Sequence, residues 1–88
     1  MNYQKLIDKF GIDEYYMKVL EELAELSVAV THYRLNKCSK EDLATEIADV
    51  IIQTEKLCAL DNSDMFKLVL EHYQKKKINL KRIVGEKI

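Results

Sequence analysis

The chain has 88 residues, 48% of them hydrophobic, with no proline and a formal net charge of −1. That length allows one domain at most, 1–88, with a modest core, and the apolar content without proline argues against disorder and for a compact helical chain. The negative balance, with bases gathered at one end, argues against nucleic-acid binding, and no apolar run approaches the ~18 residues that span a bilayer.

The opening, MNYQKLIDKF, is polar and lacks the apolar segment of a signal peptide. Residues 3–10 are predicted as a short helix, with Gly11 where a left-handed residue would end it. Asp13 is the expected N-cap of the next helix, over 14–36. That helix carries Val19, Leu20, Leu23, Leu26, Val30 and Tyr33 at helical spacing. Its middle, LAELSVAV, is apolar nearly all round and is expected to be buried on more than one side. Asn36-Lys37-Cys38 reads as a turn. Ser39 and Asp42 then have capping-box spacing and start a third helix reaching Leu60. Leu43, Ile47, Val50, Ile51, Thr54, Leu57 and Cys58 lie along one broad face of it. Asp61-Asn62-Ser63 is a turn signal. A fourth helix is predicted over 64–82, with Phe66, Leu68, Val69, Leu70 and Tyr73, and the last five residues are expected to fray. There is no strand signal. The fold class is all-α: the two central helices form an antiparallel hairpin with flanking helices. The apolar excess is most simply buried between subunits.

Cys38 and Cys58 form no CxxC pair and read as reduced thiols of a cytoplasmic protein. Residues 1–61 hold 12 acids and 7 bases, whereas 71–88 hold 2 acids and 6 bases. An acidic body with a basic tail suits a site that holds cations and a phosphorylated ligand, although solvated helix faces give the same division.

The chemistry sits on the predicted hairpin. Glu22 and Glu25 are three apart on one helix, and Glu46 and Asp49 three apart on the next, so each pair shares a face. Both pairs lie mid-helix among apolar residues, and in an antiparallel hairpin they come level. Four carboxylates would then converge. At an effective dielectric of ~20, one like-charge pair ~4 Å apart costs about 4 kcal/mol. Such a cluster persists when it is partly protonated or neutralised by cations. Oxygen ligands suit Mg²⁺ or Mn²⁺, and the lack of histidine at ligand spacing argues against zinc or di-iron. The alternative is surface acids paired with Lys18, Lys40 or Lys56.

EELAE, 20 residues, then EIAD resembles the double acidic signature of the MazG-like, all-α nucleotide pyrophosphohydrolases. The resemblance covers roughly residues 10–83. It extends to Lys75, Asn79 and Arg82 in the last helix, which share a face at i, i+4 and i+7. It implies that Glu22, Glu25, Glu46 and Asp49 are the metal-binding and catalytic residues, with Mg²⁺ as cofactor. Glu21 matches the motif too, but it points about 100° away from Glu22 and is expected to play a supporting role. The substrate class implied is a nucleoside triphosphate, cleaved to a monophosphate and pyrophosphate. Lys75, Asn79 and Arg82 would bind phosphate oxygens. The resemblance also implies a homodimer or homotetramer that pairs hairpins into four-helix bundles. One departure is Gln53, where many relatives carry an aromatic; a glutamine there can hydrogen-bond a base or ribose but offers no stacking surface. Tyr15, Tyr16 and Tyr33 read more as core than as base-stacking residues. Two other readings stand beside this one. Phosphoribosyl-ATP pyrophosphatase is a relative that usually shows a Tyr-His pair where this chain has Val50 to Gln53. A non-catalytic helical oligomer would leave the acids facing solvent.

Overall fold

Local signals set four helices, which the computed structural model places at α1 (Tyr3–Phe10), α2 (Ile12–Arg34), α3 (Lys40–Asp61) and α4 (Met65–Ile83). The structure describes residues 2–61 and 64–87, and no strand occurs among them. Gly11 joins α1 to α2 at φ 85° and ψ 158°, and its N–H donates to the Ile7 carbonyl at 2.7 Å. This is not the left-handed helical basin expected from sequence but an extended positive-φ conformation, essentially open to glycine alone. It lets α2 begin at Ile12. Asp13 is therefore inside the first turn with Glu14, where both carboxylates favour the helix dipole, and is not the cap.

The other helix ends are fixed by short-range hydrogen bonds. At the end of α2, Asn36 adopts φ 59°, Lys37 N–H donates to the His32 carbonyl and Asn36 N–H to that of Tyr33. This is a Schellman motif with asparagine in the left-handed position. Ser39 and Asp42 form the reciprocal capping box, each backbone N–H donating to the other's side chain at 3.0 Å. Of the predicted turn Asp61-Asn62-Ser63, Asp61 is instead the last residue of α3, and Asn62 and Ser63 lie outside the described residues. The chain end closes α4 in a second Schellman motif around Gly85 (φ 77°), with Glu86 N–H on the Lys81 carbonyl, so Val84 to Glu86 are tied down rather than frayed.

α2 and α3 pack as the antiparallel hairpin, α1 lies across both, and α4 touches α3 alone. The Tyr3 hydroxyl donates to Glu55 Oε2 at 2.8 Å and pins α1 to α3. The Tyr15 hydroxyl donates to the Lys56 carbonyl and fixes the hairpin register. The radius of gyration is 16.2 Å, against about 12 Å for a compact chain of this length. The apolar surface is correspondingly uncovered. Within one chain α2 buries only Tyr15, Val19, Glu22 and Ala29, a single stripe, so its middle is not enclosed on several sides as its sequence suggested. Leu20, Leu23, Val28 and Val30 are exposed, and α4 buries no residue. No described helix is long and apolar enough to cross a membrane.

Candidate metal centre

Glu22 and Glu25 stand one turn apart on α2, and Glu46 meets them from α3. One carboxylate oxygen of each lies within 4.8 Å of the others. Glu22 is 5% exposed, Glu46 is half-buried and Glu25 is open to solvent, so the group runs from the hairpin seam outward. Glu22 Oε2 and Glu46 Oε2 are buried and have no hydrogen-bond partner among the described residues. A buried carboxylate oxygen without a partner is rare and costly. Here two such oxygens occur in one group of like charges, a donor set that could hold a cation. The repulsion registers at Glu25: the Glu22 charge chiefly, then burial and the Glu46 charge, hold its carboxyl above the usual range.

Lys18 partly neutralises the group. Its ammonium lies 3.0 Å from Glu22 Oε1 and 3.7 Å from Glu21 Oε1. The Glu22 hydrogen bond is the main reason its pKa is raised. The Lys18 side chain is about half exposed, so this pairing is weak and easily exchanged. It also occupies the oxygen opposite the unpartnered one. Glu21 turns outward to Lys18 and does not join the cluster.

Asp49 is half-buried and stands outside the group of three. Counted from Tyr15 opposite Lys56, the antiparallel register pairs Asp49 with Glu22. Convergence of four acids becomes convergence of three, with the fourth alongside. Glu25 and Glu46 open onto a cleft of about 470 Å³, which reaches Val28, His32 and Cys38 toward the hairpin turn.

The other expected site residues are placed differently. Lys75, Asn79 and Arg82 are exposed on α4 and make no ion pair or hydrogen bond with the acids. A single chain does not bring them to the cluster. Gln53 is 6% exposed rather than open on the carboxylate face, and its Oε1 accepts from Lys56 Nζ at 2.9 Å. Lys56 went unrecognised in sequence, where it reads as an ordinary partner for surface acids. It is 7% exposed, and its ammonium lies 4.6 Å from the Tyr15 ring centroid. Burial first, then repulsion from Lys18, lowers its pKa, with Glu22 opposing. The available signal was the spacing of Gln53 and Lys56, which sets both on one face.

No protein-family model matches the chain, and no curated protein or solved structure matches it significantly. The class defined by fold and site is thus a helical hairpin protein carrying a three-carboxylate cluster.

Proposed function

We propose that the chain is a Mg²⁺-dependent nucleotide pyrophosphohydrolase, converting a nucleoside triphosphate to the monophosphate and pyrophosphate. The observation that carries this reading is the pair of buried, unpartnered oxygens of Glu22 and Glu46 inside a group of three carboxylates. The likeness of EELAE and EIAD to the MazG-like signature supports it. An all-oxygen donor set suits a hard divalent cation, Mg²⁺ or Mn²⁺. Glu22, Glu25 and Glu46 would hold it, with Asp49 the neighbouring reserve carboxylate. Bound there, the cation supplies charge neutralisation for the leaving pyrophosphate.

The protein's own groups do the rest. Lys18 releases Glu22 Oε1 when the cluster takes up cations. Glu25, exposed and lining the cleft, is the member placed to accept a proton from a water entering there. Lys75, Asn79 and Arg82 hold phosphate oxygens. Because α4 touches only α3 in one chain, a second copy supplies these three residues, in a homodimer or homotetramer. The exposed Leu20, Leu23, Ile47, Ile51, Phe66 and Val69 support that assembly.

The test is pyrophosphate release from a panel of ribo- and deoxyribonucleoside triphosphates and phosphoribosyl-ATP, with Mg²⁺ and with EDTA. The proposal expects Mg²⁺-dependent pyrophosphate from at least one triphosphate. Orthophosphate as the product, or no turnover of any of them, overturns it. Turnover of phosphoribosyl-ATP alone reassigns the substrate.

A further inference from the structure

Where α1 crosses the hairpin, a cleft of about 320 Å³ is lined by Leu6, Phe10, Tyr15, Lys18, Gln53 and Lys56, with Glu14 also at its edge. Leu6, Phe10 and Tyr15 make a wall that is apolar and aromatic. The buried polar groups are donors. Lys56 is 7% exposed and, beyond its place over the Tyr15 ring, forms no ion pair among the described residues, whereas a buried ammonium ordinarily has an anionic partner. It donates one hydrogen bond, to Gln53 Oε1, and an ammonium carries three donors. Since Gln53 Oε1 faces Lys56, the Gln53 amide N–H groups remain to donate as well. The Tyr15 hydroxyl is engaged with the Lys56 carbonyl. Glu14 is exposed and is not part of the buried wall. Lys18 lines this cleft while touching Glu22, so the cleft abuts the carboxylate cluster.

We propose that this cleft takes the base of the nucleotide, and that Lys56 and Gln53 select bases with a keto oxygen over bases with an amino group at the same position. The proposal rests on the nucleotide reading given above. The flat ring of a base packs against Phe10 and Leu6, the Tyr15 ring being covered by the Lys56 ammonium. A keto oxygen accepts from the Lys56 ammonium and the Gln53 amide. An exocyclic amino group there sets donor against donor and leaves buried donors unpaired. Uracil and hypoxanthine fit this wall; cytosine and adenine, which carry an amino group in place of that oxygen, do not.

The experiment compares kcat/KM for pyrophosphate release from UTP against CTP and from ITP against ATP, in the full chain and in Lys56→Met. Wild type is expected to favour the keto member of each pair by about 10-fold or more, and Lys56→Met to bring both ratios within about 2-fold. Wild-type ratios near one, or a folded Lys56→Met that keeps the preference, overturn the proposal. If Lys56→Met does not fold, the wild-type ratios decide alone. If no triphosphate is hydrolysed, the pyrophosphohydrolase reading fails and the cleft is judged by calorimetric binding of UMP against CMP. Tighter UMP binding sustains the base site; equal or absent binding overturns it.

Discussion

Glu46→Gln separates a cation site from an ordinary acidic surface, because it moves stability and metal response in opposite directions. Glu46 makes no ion pair, and its Oε2 is buried without a partner within a group whose oxygens lie within 4.8 Å of one another. At an effective dielectric of ~20, the repulsion between Glu46 and Glu22 at that distance is about 3 kcal/mol gross. Water and salt reach the half-buried Glu46 and reduce the net relief on neutralisation to about 1 kcal/mol. In a domain of this size, about 1 kcal/mol moves Tm by ~4–8 °C. Metal-free Glu46→Gln is therefore expected to melt several degrees above wild type. A ligand that binds only the folded state at 100 times its Kd adds about 2.7 kcal/mol, and the variant should lose most of that Mg²⁺-induced rise. The assay is thermal melting followed by circular dichroism at one protein concentration, in EDTA and in Mg²⁺. A metal-free Tm well below wild type, or an unchanged Mg²⁺ shift, refutes the reasoning.

Lys18→Met should tighten Mg²⁺ binding in calorimetry, since it removes the ammonium that competes for Glu22 Oε1; unchanged or weaker binding counts against that competition. Lys75→Ala and Arg82→Ala should raise KM with little change in Tm, and an unchanged KM in both variants removes their phosphate role. Sedimentation should show a dimer or tetramer at micromolar concentration, and a stable monomer would leave the α4 residues without a site. The Glu25 contribution to metal-free stability should grow as pH falls, while that of Asp42, held below the usual range by its Ser39 hydrogen bonds, is lost. The Glu25 carboxyl titrates above its unfolded value, so its contribution is fully present below the unfolded pKa and is lost as pH rises through the folded one. Melting of wild type against Glu25→Gln from pH 7 down through the carboxylate range checks the sign, and a difference between them that does not change with pH contradicts it. Gly11→Ala should destabilise by roughly 1–3 kcal/mol through backbone strain alone, because no atom within 4 Å obstructs the added methyl; a Tm equal to wild type would exclude that strain.

Helix boundaries were legible to within a few residues because caps are local: Ser39 with Asp42 needs no distant partner to be read. The meeting of Glu22, Glu25 and Glu46 was legible for a similar reason, since helical spacing and one short turn determine it. Asp49 shows the limit. Counting along the hairpin pairs it with Glu22, yet its carboxylate is not among the three that meet. Burial was the least legible property. LAELSVAV promises enclosure, yet the single hairpin covers one stripe, because coverage depends on what packs from outside. The burial of Lys56 and Gln53 was illegible for the reverse reason. Lys56 meets a tyrosine 41 positions away and Gln53 meets Lys56 one turn along α3; spacing shows that they share a face, but not that this face turns to the seam.

Direct titration of Mn²⁺, with free ion followed by electron paramagnetic resonance, tests the central claim without depending on any substrate. Wild type is expected to take up Mn²⁺ saturably at the cluster, displaceable by Mg²⁺. The combined variant Glu22→Gln, Glu25→Gln, Glu46→Gln should take up none at the same concentrations while remaining helical. Equal uptake by wild type and the folded triple variant would contradict a metal centre at these three carboxylates.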